Sequence, residues 1–232
     1  MVRIYILGGA GSGKTTLGTL LGMQLGCTAV HLDDTLQFLW RGTLPQAERY
    51  ARAETTLRQL AAGEAWVIEG NFPGWIDEFA ARADLVVWLD VSFRVAAWRI
   101  ITRHVLADLR GTNPHPGYRN LWRFLRNTHR YYGDTAAAHR ARQKARPDRW
   151  RGVDYGRAAV ASHAAAAGER VLRVTSGGPG QTAEVVLARL EGATAGEMTS
   201  FWNGERNARD TAQAVKRVVD PLLKAAEENR RF

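Results

Sequence analysis

GGAGSGKTT, residues 8–16, follows directly on the apolar run VRIYIL, residues 2–7. The run Val2–Leu7 is short, rich in β-formers and closed by glycine, which predicts a buried strand. Residues Lys14–Leu25 follow with a helical pattern. The quoted stretch therefore joins a strand to a helix, and its glycines permit a backbone path that a Cβ would obstruct.

Gly8, Gly13, Lys14 and Thr15 complete the pattern G-x-x-x-x-G-K-[ST], the phosphate-binding P-loop. Successive N–H groups of such a loop point at phosphate oxygens, and the following helix adds its positive end. We expect Lys14 to contact the β- and γ-phosphates and Thr15 to bind Mg²⁺, so the predicted ligand is a nucleoside triphosphate with Mg²⁺. The predicted nucleotide-binding residues are Gly8, Gly9, Ala10, Gly11, Ser12, Gly13, Lys14, Thr15 and Thr16.

Strand and helix signals alternate along the rest of the chain. Further strands are predicted at Thr28–His31, Trp66–Glu69, Leu85–Asp90 and Val171–Val174, and a long helix at Pro45–Ala62, before Gly63. This alternation predicts a three-layer α/β P-loop NTPase fold with a five-stranded parallel sheet. Ligands of such sheets bind at the carboxyl ends of the strands.

Acidic residues stand at three of these strand ends. Asp33 and Asp34 follow the second strand, and Glu69 and Asp90 end the third and fourth. Carboxylates there can hold the waters of a metal ion or accept a proton from an attacking hydroxyl. We predict that Asp33 serves the acceptor site, and Glu69 and Asp90 are equal candidates for contact with Mg²⁺.

A helical insertion, Phe93–Ala167, is interrupted by RGTNPHPG and carries most of the excess positive charge. Three interpretations of its arginines stay open. As a lid, it would place Arg103 and Arg130 on the transferring phosphoryl group as catalytic residues. As a nucleic-acid surface, it would track phosphates and stack bases on aromatic side chains. As a solvated helix face, it would turn its aromatic residues toward the core. The residues that would stack on bases are Trp122, Tyr131 and Tyr132, and those that would face the core are Trp98, Trp122 and Phe124.

Composition limits the classes of protein. The chain has 232 residues, 45% hydrophobic and 24% charged, as in ordinary globular domains, and a net charge of +9. A surface this basic favours phosphate-bearing partners. No apolar run is long enough to span a membrane and no export pattern begins the chain, so a cytoplasmic location is expected. Cys27 is the only cysteine, which excludes an internal disulfide. Core packing is favoured over an aromatic substrate wall for Trp40, Trp66 and Trp75.

Four segments carry a resemblance to a known family: GGAGSGKTT, VHLDDTLQFLW, AWVIEGNFPGWIDEFAARADLVVWLD, and WRIITRHVLADLRG with NPHPG after it. The chain from Met1 to about Leu190 resembles P-loop kinases of the adenylate-kinase type, and more closely the bacterial DNA topology modulation proteins. The resemblance implies a five-stranded core, Mg-ATP as donor and an arginine-bearing lid over the phosphates. It places Arg99 and Arg103 on one lid helix and Arg126 and Arg130 on a later one, with the loop SGGPG, residues 176–180, beside the adenine.

The chain departs from adenylate kinases after the third strand. It reads EGNFPGW where they have DGFPR, whose arginine grips the acceptor monophosphate. AMP is therefore not the expected acceptor.

The sequence thus predicts a kinase-like domain over residues 1–190, with the lid insertion at about 93–167, and a linker with a helical tail over 191–232. The expected function is transfer of the γ-phosphoryl group of Mg-ATP to an unidentified small acceptor, nucleotide-like or hydroxyl-bearing. The alternative is an ATP-binding regulator or ATPase that contacts nucleic acid or protein through the basic insertion.

Overall fold

A computed structural model describes residues 2–41, 43–72, 74–133, 156–190 and 192. Contacts divide the chain into two compact units, Met1–Ser176 and Gly177–Phe232. The predicted tail, apart from residue 192, and residues 134–155 of the predicted insertion lie outside the described residues, as does the side chain of Trp40. The predicted domain boundary at residue 190 stays a prediction.

Five parallel strands form one sheet in the first unit, in the order β2-β3-β1-β4-β5. The strands are β1 Arg3–Gly8, β2 Ala29–His31, β3 Trp66–Glu69, β4 Leu85–Leu89 and β5 Val171–Val174. β1 is the central strand, and its Ile6 pairs with Glu69 on one side and Val87 on the other. The α/β fold with a five-stranded parallel sheet is confirmed, and each predicted strand lies within one residue of its observed bounds.

Helices connect the strands. In the first unit they are α1 Lys14–Leu25, α2 Leu32–Thr35, α3 Phe38–Arg41, α4 Gln46–Ala62, α5 Ile76–Arg82, α6 Phe93–Leu109, α7 Tyr118–Gly133 and α8 Arg157–Ala166, followed by a 3₁₀ turn, Gly168–Arg170. The predicted break at RGTNPHPG separates α6 from α7. The second unit contains α9, Pro179–Leu190. Within the described ranges, no helix combines the length and apolarity that a membrane crossing requires.

Aromatic side chains form the centre of the core on one face of the sheet. Trp66 and Trp75 are buried and pack against Phe79, with ring centroids 6.0 and 5.8 Å from it. The Tyr5 hydroxyl donates to the carbonyl of Gly70 at 2.8 Å, and burial raises the pKa of this phenol. Trp66 and Trp75 are core residues, as predicted.

One of two glycines on α1 lets the helix lie close to the chain that enters β2. A Cβ added to Gly22 would come within 2.8 Å of the carbonyl oxygen of Cys27 and 3.1 Å of Ala29. A Cβ on Gly18, one turn earlier, would meet Glu69 Cγ at 3.6 Å and His31 at 3.7 Å, which are ordinary contacts. The available space therefore requires glycine at position 22 but not at position 18.

Gly18→Ala and Gly22→Ala should change the free energy of unfolding in opposite directions. Both exchange a helical glycine for alanine, which favours the helix by about 1 kcal/mol. Gly18→Ala should keep that gain, whereas the backbone clash of Gly22→Ala should reverse it and cost about 1–3 kcal/mol. Urea unfolding of both variants measures this, and stabilisation by Gly22→Ala would contradict the close approach of α1 to β2.

Candidate active site

The P-loop bends through conformations that favour glycine. Gly11 has φ 76° and Gly13, the N-cap of α1, has φ 102°. A Cβ on Gly11 would lie 2.6 Å from the carbonyl oxygen of Ala96 in α6. The backbone path and the packing of α6 against the loop therefore both require glycine at position 11.

Lys14 reaches back across the loop. Its Nζ donates to the carbonyl oxygen of Gly9 at 3.1 Å. Burial lowers the pKa of the Lys14 amine; the carboxylates of Glu69 and Asp33 oppose this effect, and the guanidinium of Arg103 adds to it. The positive charge of Lys14 is thus destabilised by desolvation, and a phosphate beside it would compensate this cost.

Thr15 and Glu69 meet at the carboxyl end of β3. The Thr15 hydroxyl donates to Glu69 Oε1 at 2.9 Å. Glu69 is only 4% exposed, and Nδ1 of His31 lies 3.1 Å from the same oxygen. Because a carboxylate only accepts, this bond requires the imidazole proton on Nδ1. Thr15 and Glu69, two predicted Mg²⁺ ligands, are therefore adjacent, and His31 orients the carboxylate.

Asp90, the other predicted Mg²⁺ contact, forms ion pairs with two arginines. Arg157 donates from Nε to Oδ1 at 2.6 Å and from Nη2 to Oδ2 at 3.0 Å. Arg173 donates to Oδ2 from Nε at 3.0 Å and from Nη2 at 2.6 Å, and its guanidinium lies 4.8 Å from the Trp88 ring centroid. Two arginines surround this carboxylate, so the prediction of Asp90 as a metal contact does not fit the structure. Its position ties α8 and β5 to the end of β4.

Asn71 holds the start of the loop and was missed by the sequence analysis. Its Nδ2 donates to the carbonyl of Gly8 at 2.9 Å, and its Oδ1 accepts from the N–H of the same residue at 3.2 Å. The amide thus satisfies both backbone groups of the residue that ends β1. The sequence did contain a signal for Asn71: in IEGN it closely follows Glu69, which ends a strand, and strand ends converge at the site.

A cavity of about 450 Å³ opens beside the loop. Backbone of the P-loop and Lys14 form one wall, and Asp33 and Asn71 form another. Arg130 of α7 lines the same cavity. The structure therefore brings Lys14, Asp33 and Arg130 to one space. Asp34, one residue further, is exposed and does not line it.

Helix α7 packs directly on the loop. A Cβ on Gly9 would lie 2.8 Å from the Tyr131 ring and 3.1 Å from the Tyr132 hydroxyl. Burial raises the pKa of both phenols. These tyrosines contact the P-loop, which does not suit the predicted role of stacking on nucleic-acid bases.

The arginines of α6 and α7 differ in position. Arg99 Nη1 donates to the carbonyl of Ser12 at 2.7 Å and so braces the loop. Arg103 lines a neighbouring cavity between the two helices, and Arg126 is exposed and lines neither space. The predicted catalytic pair is thus split, with Arg130 in the loop cavity and Arg103 beside it.

The interpretation that turned aromatic residues of these helices toward the core is wrong. Trp98 is 70% exposed, Trp122 67% and Phe124 42%. These side chains were expected to face the core, but all three are exposed in the described part of the chain.

No protein-family model matches the chain. Cytidylate kinase of Pyrococcus furiosus (strain ATCC 43587 / DSM 3638 / JCM 8422 / Vc1) is 35% identical over 111 residues, which cover 43% of this chain and 56% of that protein. Uncharacterized protein YqaC of Bacillus subtilis (strain 168) is 34% identical over 88 residues, 38% of this chain and 48% of that protein. The chain thus spans about half the length of these curated relatives.

Solved structures with a similar fold include shikimate kinase from Acinetobacter baumannii in complex with shikimate, with TM-score 0.45 and 17% identity over 83% of this chain and 94% of that one. A gluconokinase from Sinorhizobium meliloti 1021 has TM-score 0.44 and 18% identity over 82% of this chain and 93% of that one. The proteins similar to this chain thus include kinases with a P-loop fold. The finer resemblance to DNA topology modulation proteins stays a prediction.

Asn71→Asp should loosen the P-loop. An aspartate keeps the acceptor for the Gly8 N–H but places a carboxylate oxygen against the Gly8 carbonyl, so we expect a loss of about 1–3 kcal/mol in unfolding free energy and weaker nucleotide binding. Gln24→Glu makes the same amide-to-acid change on the exposed face of α1 and serves as control. Equal stability and nucleotide affinity in both variants would contradict the role assigned to Asn71.

Proposed function

We propose that the chain is a phosphotransferase that moves the γ-phosphoryl group of Mg-ATP to a small acceptor. One observation carries the proposal: a P-loop lysine, a carboxylate and an arginine, Lys14, Asp33 and Arg130, line one cavity. A regulator that only bound nucleotide would need the loop but neither of the other two groups. The similarity to kinases supports the same class of reaction.

The loop would bind the donor phosphates. Its amides and the positive end of α1 favour an anion, and Lys14 would exchange its bond to Gly9 for a phosphate oxygen. Ser12 Oγ is buried without a hydrogen-bond partner among the described residues, which suits a further donor to that anion.

The oxygen atoms of Thr15 and Glu69 suit Mg²⁺. This ion prefers oxygen ligands and usually takes only one or two protein carboxylates, with substrate phosphates and waters completing its shell. The described residues contain no cluster of three His, Cys, Asp or Glu side chains that would hold an ion by themselves. When bound, Mg²⁺ would neutralise charge on the phosphates, with Thr15 and Glu69 as its protein contacts and His31 holding Glu69 in place.

Asp33 would act on the acceptor. In the proposed reaction an acceptor oxygen attacks the γ-phosphorus. The bond between the γ-phosphorus and the β–γ bridging oxygen breaks, and ADP leaves. If the acceptor is a hydroxyl, the Asp33 carboxylate takes its proton. If the acceptor is a phosphate monoester already ionised, Asp33 orients it without proton transfer.

Arg130 would stabilise the charge that develops on the transferring group. It extends from α7 into the cavity, and its Nη1 donates to Asn127 Oδ1 at 3.4 Å within the same helix. A guanidinium placed there lowers the barrier because the charge on the equatorial oxygens and the leaving group is greatest in the transition state. Arg103, whose charge acts on Lys14, would supplement this field.

Transfer of ³²P from γ-labelled MgATP to a panel of nucleoside monophosphates, nucleosides and polyhydroxy acids tests the proposal. We expect at least one labelled product with the native chain and none with Lys14→Ala, because that variant loses the charge that binds the β- and γ-phosphates. Circular dichroism and the melting temperature of Lys14→Ala establish that it folds. MgATP affinity equal to that of the native chain would refute the assignment of the loop.

Arg130→Ala should lower kcat about 100-fold or more with little change in the affinity for MgATP, because its effect is confined to the transition state. Arg126→Ala removes the same charge one turn earlier on α7, outside the cavity, and should leave kcat nearly unchanged. Steady-state kinetics on the acceptor found in the panel measure both. If kcat fell equally in the two variants, the effect would come from the overall positive charge of α7, which would contradict a direct role for Arg130.

A second candidate function rests on the exposed aromatic residues of the basic helices. Tyr118 and Trp122 of α7 are 78% and 67% exposed, and Arg119 and Arg126 are exposed on the same helix. Aromatic and basic side chains interleaved in this way suit single-stranded nucleic acid, with nucleotide state as the control. Salt-dependent binding of an oligonucleotide, lost in Trp122→Ala, together with no labelled product in the panel, would favour this function over phosphotransfer.

A further inference from the structure

A second cavity, of about 370 Å³, lies between α6 and α7. Arg103 and His104 contribute to it from α6, the connecting segment contributes Asn113 and His115, and α7 contributes Asn120 and Arg123. No residue of the P-loop lines it. Among the described residues, the two cavities share Phe124 and Asn127 in their walls, so they are neighbours that are lined by different charged side chains.

The described residues of the α6–α7 cavity wall carry positive charge. Two guanidinium groups, Arg103 and Arg123, line it, and none of the described residues that line it is aspartate or glutamate. The Asp108 carboxylate contacts two of the lining residues: Oδ2 lies 3.2 Å from His104 Nε2, and Oδ1 accepts from Asn113 Nδ2 at 2.7 Å. The two arginine charges therefore remain available to an anionic ligand.

The polar groups of the wall are held in place by short hydrogen bonds. Arg123 Nη2 donates to Asn120 Oδ1 at 2.7 Å, and Asn120 Nδ2 donates to the carbonyl of Pro116 at 2.8 Å. Asn113 Oδ1 accepts from the N–H of His115 at 2.9 Å. The Arg123 guanidinium is thus oriented by the segment between the helices, which reduces the entropy that a ligand must remove on binding.

Apolar side chains form the remainder of the lining. Ile100 is buried, and Leu121 and Phe124 line the cavity beside it. A bare inorganic ion would leave this surface in contact with water. A ligand that joins an anionic group to a planar or apolar body would use both the arginines and this surface.

We propose that the α6–α7 cavity is a second ligand site, which binds a small organic anion, a phosphate monoester or carboxylate attached to an apolar or planar body. Arg123 would hold the anionic group, and Leu121 and Phe124 would pack against the body. This site is independent of phosphotransfer at the P-loop and goes beyond the proposed function. Through Phe124 and Asn127 its ligand would also contact the wall of the loop cavity.

Phenyl phosphate and benzoate are suitable probes, with phenol as their neutral counterpart. Calorimetric titrations use the full chain carrying Lys14→Ala, so that binding at the P-loop is weakened. We expect saturable binding of at least one anion and much weaker binding of phenol; the stronger anion identifies phosphate or carboxylate as the preferred group. Adding Arg123→Gln should weaken the binding about tenfold or more, since a charged hydrogen bond contributes about 1.5–3 kcal/mol.

Arg126→Gln, added to the same background, is the matched control, because it removes a charge from α7 outside both cavities. It should change the affinity less than about twofold, and Arg123→Lys should restore part of the loss. Equal weakening by Arg123→Gln and Arg126→Gln would overturn the proposal in favour of unspecific attraction. No saturable binding of either anion, or binding present only in the chain with Lys14 intact, would overturn it as well.

Discussion

The buried carboxylate of Glu69 is the interaction on which the site depends. It ends β3, next to the central strand, and accepts hydrogen bonds from Thr15 in the first turn of α1 and from His31 at the end of β2. A carboxylate placed this deep is stable only with such partners. These hydrogen bonds fix α1, β2 and β3 at one point and hold the α1 end of the loop between β1 and α1. The β1 end of the loop is held by Asn71.

Most of the framework could be predicted from the sequence because it rests on local signals. Short apolar runs, most of them followed closely by glycine or an acidic residue, predicted the bounds of each strand to within one residue. The motif from Gly8 to Thr15 predicted the position of the loop. Side-chain partners across the sheet could not be predicted. Asp90 and Glu69 both stand at strand ends, and their side-chain partners distinguish them. Thr15 and His31 contact Glu69, whereas Arg157 and Arg173, residues far away in the chain, contact Asp90. Asn71 was missed for the same reason, since its partner is a backbone 63 residues earlier.

In the basic insertion, residue type does not identify which side chains are buried. Trp98 and Trp122 are large and apolar, yet both are exposed. The arginines cannot be ranked by spacing either: Arg99 braces the loop, Arg130 lines its cavity, and Arg123 belongs to a different cavity. In the first unit, the segment RGTNPHPG does more than separate two helices, because Asn113 and His115 from it complete a polar wall.

Gly9 is an "x" of the P-loop pattern, a position that the binding of phosphate leaves free to vary. In this chain it is not free, because the Tyr131 ring occupies the volume that any side chain would need. A larger residue at position 9 should therefore be tolerated only together with a smaller one at position 131.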